Sequence, residues 1–143
     1  MLVLIKGAGD LASGVAVRLH RAGLRVVMTD LPRPTAIRRA VSFCRVISDG
    51  EAVVEDVRAR FAPDAKQAMK IAADGQIAVL ADPEAGCLAA LRPAVLVDAI
   101  LAKRNTGTAI TDAPAVVALG PGFTAGLDCH AVVETMRGHT LGR

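Results

Sequence analysis

Short, unbroken apolar runs alternate along this chain with stretches whose apolar residues recur at helical spacing. Leu2 to Ile5 is the first such run, and a continuous run of this length marks a strand buried on both faces. Leu11, Val15 and Leu19 then repeat at helical spacing from Asp10, and Gly23 supplies a stop signal. Val26 to Met28 predicts a second strand closing on Thr29-Asp30, followed by a stiff turn through Leu31-Pro32-Arg33-Pro34. From Thr35, the positions Ile37, Val41, Cys44 and Ile47 predict one helix ending near Asp49-Gly50. Two short strands, Ala52 to Val54 and Val57 to Phe61, flank Glu55-Asp56. A helix over Ala65 to Ala73 leads to a strand at Ile77 to Leu80, and Ala85 to Leu91 reads as helical up to Pro93. Val95 to Val97 predicts a strand reaching Asp98, with its apolar run extending to Ala102. Val116 to Leu119 and Ala131 to Glu134 complete the strand set.

Apolar strands alternating with helices predict an α/β fold: a Rossmann-like open, mostly parallel sheet with helices on both faces. Gly7, Asp30, Asp82, Asp98 and Gly120 all fall just past the carboxyl end of a predicted strand. Open α/β sheets bind ligands along that edge.

The length of 143 residues suits a single domain over 1–143. Hydrophobic residues make up 52% of the chain, yet it has no Trp, no Tyr and three Phe, so aliphatic side chains must fill the core. The scarcity of aromatic platforms argues against a base-stacking nucleic-acid module. The net charge of +3 is scattered, with its densest clusters at Arg38-Arg39 and Lys103-Arg104; a small positive bias favours an anionic small ligand. Cys44, Cys87 and Cys129 are too far apart in sequence for a zinc knuckle, and three sparse cysteines without a signal peptide fit a reducing cytoplasm. No apolar run approaches a membrane span.

Gly7-Ala8-Gly9-Asp10-Leu11-Ala12 fits G-x-G-x-x-A between a strand and a helix. In such a loop Gly7 permits the sharp turn, Gly9 lets backbone approach a phosphate, and Ala12 lets the helix sit close to the strand. Asp10 departs from a plain dinucleotide loop. Its carboxylate either caps the helix start, with Ser13 behind it, or reaches a phosphate through a divalent metal. Asp30 ends the second strand where an acid can bond a ribose hydroxyl, and Arg33 nearby could instead meet a 2′-phosphate. Lys103, Arg104 and Asn105 combine cations and an amide that could clamp an anion. Gly120 and Gly122 open a second glycine-rich loop, either a backbone N–H cradle or an irregular turn. In Asp128-Cys129-His130, strand alternation points Cys129 and His130 to opposite faces, which disfavours a catalytic dyad. His20 falls on a helix surface and His139 near the tail.

Several segments carry a family resemblance: GAGDLASGVAVRLHRAG, LPRPTAIRRAVSF, DPEA, LRPAVLVDAILAKRNTGT and DAPAVVALGPGFTAGLDCHAVVETMRGHTLGR. Together they resemble the selenium-dependent molybdenum hydroxylase system protein family, which looks related to the Rossmann-type part of xanthine dehydrogenase accessory proteins. Members of that family extend beyond the GHxLGR stretch, so the resemblance implies a truncated form or a short member. It also implies an accessory, maturation role toward a molybdenum hydroxylase apoprotein. The cofactor would be a molybdopterin-type group or an adenine nucleotide, NAD(P) or ATP. The motif positions it carries over are Gly7, Gly9, Asp10, Asp98, Lys103, Arg104, Asn105, Gly120, Gly122, Asp128 and His130. Two other readings stand beside it: an NAD(P)-dependent oxidoreductase, for which 143 residues leave little substrate domain, and a regulatory nucleotide sensor. The edge strands of an open sheet are compatible with a homodimer.

Overall fold

The computed structural model describes residues 1–33 and 41–135. Among them, eight strands form one sheet: β1 (Leu2–Lys6), β2 (Arg25–Asp30), β3 (Glu51–Val54), β4 (Val57–Phe61), β5 (Ile77–Ala81), β6 (Val95–Asp98), β7 (Ala115–Leu119) and β8 (Ala131–Val133). Four helices accompany them: α1 (Asp10–Arg21), α2 (Val46–Asp49), α3 (Ala65–Ala73) and α4 (Leu88–Leu91). The strand order is β3-β4-β5-β2-β1-β6-β7-β8. All neighbours are parallel except the β3–β4 hairpin, whose turn holds Glu55 and Asp56 at positive φ. Leaving that hairpin aside, β5-β2-β1-β6-β7-β8 is the six-strand order of the doubly wound dinucleotide-binding sheet. The fold is therefore the Rossmann-like α/β architecture that the strand and helix pattern predicts.

Strand alternation divides the core into two faces. Val3, Ile5, Val26 and Met28 pack with Ala12, Ala16 and Val17 of α1 on one side. Leu4, Val27, Leu80 and Leu96 pack with Ala68 and Ala72 of α3 on the other. The residues that α1 buries are Ala12, Ser13, Ala16 and Val17, while Leu11, Val15 and Leu19 flank that face half-buried. Small side chains toward the sheet bring the helix axis close, which sets the start of α1 directly beyond the end of β1.

Two predicted helices are corrected. Within the described residues, the helix expected from Thr35 to near Asp49-Gly50 is interrupted at Ser42, whose backbone is extended, and short helical turns over Phe43–Arg45 and Val46–Asp49 follow it. Tertiary bonds explain the interruption: the N–H of Phe43 donates to Ser13 Oγ (2.8 Å), and that of Cys44 to the carbonyl of Ala8 (2.9 Å). Thr35, Ile37, Arg38, Arg39 and His139 lie outside the described residues. The helix expected over Ala85 to Leu91 starts only at Leu88, because the Asp82 carboxylate takes the N–H groups of Gly86 (2.9 Å) and Cys87 (2.8 Å) into a capped loop. Likewise β6 stops at Asp98, where Asp98 Oδ1 turns to the N–H of Ile100.

Candidate functional site

β1 is the strand at which the sheet reverses direction. The chain leaves it through α1 to β2 on one side and returns from β5 to β6 on the other. Ligands of open α/β sheets bind beyond the carboxyl ends of the strands at such a reversal. A cleft of about 890 Å³ opens there, bounded by the β1–α1 loop, the ends of β1 and β2, Pro83 and Glu84, and residues 99–101 and 106–107.

The two glycines of the first motif do different work. Gly7 has φ +106°, its N–H donates to the carbonyl of Thr29 (2.7 Å), and a Cβ there would stand 2.8 Å from the carbonyl oxygen of Ala99. It is the point where the β1 and β6 loops touch. Gly9 is the N-cap of α1 with an ordinary φ of −71°, and a Cβ there would meet nothing within 4 Å. The space beside Gly9 is the cleft itself.

Four N–H groups at the start of a helix lack partners within it. Here Leu11 N–H meets Asp10 Oδ1 (3.0 Å), and Ala8 N–H, one residue earlier, meets Asp30 Oδ2 (3.1 Å). Among the described residues no protein acceptor meets the N–H groups of Gly9, Asp10 or Ala12. These three amides lie at the positive end of the α1 dipole, the combination of donors and field that an anion requires. Asp10 is the first residue of α1 and accepts from the N–H of the next residue, while the N-cap position itself is Gly9 and no side chain caps it. Among the described residues no group of three or more His, Cys, Asp or Glu gathers to hold a metal ion.

Asp30 ends β2 at the cleft rim, with Oδ1 on the N–H of Leu31 (2.7 Å) and Oδ2 on that of Ala8. Burial pushes its carboxyl above the usual range, and these two amides only partly offset the rise. The remaining lone pairs of this carboxylate suit hydroxyl donors of a sugar.

Lys6, the last residue of β1, was not among the residues singled out from the sequence. It is 5% exposed, and its Nζ donates to Thr108 Oγ1 (2.8 Å). Thr108 in turn donates to Asp98 Oδ2 (2.6 Å). Lys6 and Asp98 are register partners on adjacent strands and project to the same face. The hydroxyl of Thr108 thus links two buried opposite charges and pins residues 99–108 across the ends of β1 and β6. The available sequence signal was parity: Lys6 follows Leu4, and Asp98 follows Leu96, at alternate strand positions.

Gly7, Gly9, Asp10 and Asp30 all line the cleft; Lys103, Arg104, Asn105, Gly120 and Gly122 do not. Asn105 Oδ1 accepts from the N–H groups of Gly107 (2.9 Å) and Thr108 (2.7 Å), while Nδ2 donates to the carbonyl of Thr108 and to Asp128. Its amide closes its own loop, which leaves no group for an anion clamp. Lys103 and Arg104 are exposed. Gly120 makes room for the side chain of Leu101, and Gly122 for the backbone of Arg104. The second glycine loop therefore packs closely against residues 101–104.

Cys129 is buried, whereas His130 is exposed and its Nδ1 accepts from the N–H of Val116 (2.9 Å). The two residues precede β8, and their difference in burial keeps them from forming a dyad. Burial, reinforced by Asp82, pushes the Cys87 thiol up to about 12, which leaves it inert near neutral pH. Burial also acts to raise the Asp82 carboxyl, but the Cys87 and Gly86 hydrogen bonds outweigh it and hold the group below the usual carboxylate value. A lowered folded value means the stabilisation is present above the usual carboxylate range and is lost as pH falls through the folded value. Acid titration followed by amide exchange is thus expected to release Gly86 and Cys87 only below that range. Asp82→Ala should expose both at neutral pH.

No helix among the described residues is long and apolar enough to cross a membrane. The chain is 54% identical over 142 residues to the uncharacterized protein YqeB of Escherichia coli (strain K12), an alignment covering 99% of this chain and 26% of that protein. The chain thus spans about a quarter of the length of the relative it matches. No family model and no solved structure matches it.

Proposed function

We propose that this domain binds a phosphorylated cofactor or nucleotide across the carboxyl ends of β2, β1 and β6. We further propose that it acts as an accessory factor holding that cofactor for a molybdenum hydroxylase apoprotein. The first statement is carried by one observation: three unpartnered amides, of Gly9, Asp10 and Ala12, beside an open cleft at the reversal of the sheet. Asp30, one strand away, supports a sugar hydroxyl next to the phosphate. The accessory role rests on the resemblance of the quoted segments to the molybdenum hydroxylase system family.

Native mass spectrometry of the freshly purified protein, followed by thermal shift with NAD, NADP, ATP with magnesium, FAD and molybdopterin nucleotides, tests the binding reading. A ligand at roughly 100 times its Kd adds ~2.7 kcal/mol, a rise of several degrees in Tm. Gly9→Val is expected to abolish that rise while leaving the circular dichroism spectrum unchanged, because its side chain fills only the cleft. An undiminished rise in this variant removes the β1–α1 loop from the site. Deletion of the gene should lower molybdenum hydroxylase activity, and the hydroxylase should be retained on the immobilised protein. Hydride transfer from NADH to carbonyl substrates would instead favour an oxidoreductase.

A further inference from the structure

The described cleft carries an unbalanced set of charges. Asp10, Asp30 and Glu84 contribute carboxylates to its lining, and Lys6 is the one cation there. Lys6 is also the only buried lysine of the four in the chain. An ammonium has three donors. Thr108 Oγ1 accepts one of them, and among the described residues no other protein acceptor meets Nζ. The side chain cannot swing to solvent as a surface lysine does, because it ends a central strand and is tied to Asp98 through Thr108. Such an ammonium is preorganised, so a ligand group reaching it does not have to order a flexible chain first.

We infer that Lys6 is a ligand-binding residue whose spare Nζ donors receive a second anionic group, a phosphate or a carboxylate, of the molecule whose first phosphate meets the α1 amides. This deepens the nucleotide reading and rests on it for the position of the first phosphate. Thr108 and Asp98 are positioning residues: they fix Nζ and touch no ligand. The ligand class follows from the charge pattern. It carries hydroxyls toward Asp30, a phosphate at the start of α1, and a further anion over the end of β6. A mononucleotide with a single phosphate would leave Lys6 unmet.

The test uses the wild-type chain labelled with ¹⁵N-lysine and ¹⁵N-glycine, in which the buried ammonium is distinguished from the three exposed ones by slow proton exchange. AMP, ADP, ADP-ribose, inorganic pyrophosphate and malonate are titrated separately, with the Gly9 backbone amide followed in parallel. ADP or ADP-ribose is expected to shift both signals, and AMP only Gly9. Lys6→Met should weaken ADP or ADP-ribose binding by about tenfold or more while leaving AMP affinity unchanged. A Lys6 signal that stays fixed while Gly9 responds to every nucleotide overturns the inference and leaves the nucleotide reading standing. A Lys6 response to pyrophosphate or malonate with no response of Gly9 to any nucleotide supports the anion site and overturns the nucleotide reading. Silence of both signals with every probe overturns both.

Discussion

Gly7→Ala is expected to destabilise the fold by about 3 kcal/mol or more, whereas Gly9→Ala costs no more than about 1 kcal/mol, the ordinary penalty for alanine at a helix N-cap. The motif treats the two glycines alike; the structure does not. At Gly7 a methyl group would stand 2.8 Å from the Ala99 carbonyl oxygen and 3.0 Å from its carbon, on a backbone with φ +106° that side-chain-bearing residues rarely adopt. Those neighbours are backbone of the segment that leaves β6, so relief requires the loops beyond β1 and β6 to part where they touch. At Gly9 the same methyl group enters open space. Urea denaturation of both variants reads the difference as a lower midpoint with an unchanged slope for Gly7→Ala. Equal midpoints would sink the assignment of Gly7 to inter-strand contact.

The second large effect is expected at Asp98. Asp98→Ala removes the acceptor of both the Thr108 hydroxyl and the Ile100 N–H, and it leaves the Lys6 ammonium buried with no compensating carboxylate. Breaking a buried pair from one side costs about 3–5 kcal/mol. Much of that loss should return when Lys6→Met is added, because the uncompensated charge then disappears and methionine fills a similar volume. A double-mutant cycle by chemical denaturation measures this coupling directly. Additive losses would mean that Lys6 and Asp98 do not communicate through Thr108.

The strands were legible because parallel strands buried on both faces read as unbroken apolar runs, and β1, β2, β5 and β7 are such runs. The β1–α1 loop was legible for a similarly local reason: a strand, two glycines and a helix start within a dozen residues. Gly7, Gly9, Asp10 and Asp30 accordingly lie in the cleft. Loop residues chosen for their chemistry alone fared differently. Asn105 looked like a ligand donor, yet its amide is consumed by Gly107, Thr108 and Asp128. Gly122 looked like part of a cradle, yet it is small because the Arg104 backbone passes over it. A loop residue's partners are set by chain that is distant in sequence, so its composition does not reveal whether it faces a ligand or another loop.

Local order in this protein was written into residue type and spacing. Runs of Val, Leu and Ile set the strands and Gly7 set the turn between β1 and α1, whereas the face α1 lays on the sheet, Ala12, Ala16 and Val17 with Leu11, Val15 and Leu19 at its margin, came with the packing. The order of the strands, and with it the meeting of Lys6 from residue 6 with Thr108 from residue 108, came only with the fold. Spacing along a chain acts over a turn of helix or a pair of strand residues. The burial that brings distant polar groups together, and makes their pairing obligatory, exists only once the sheet has closed its two faces.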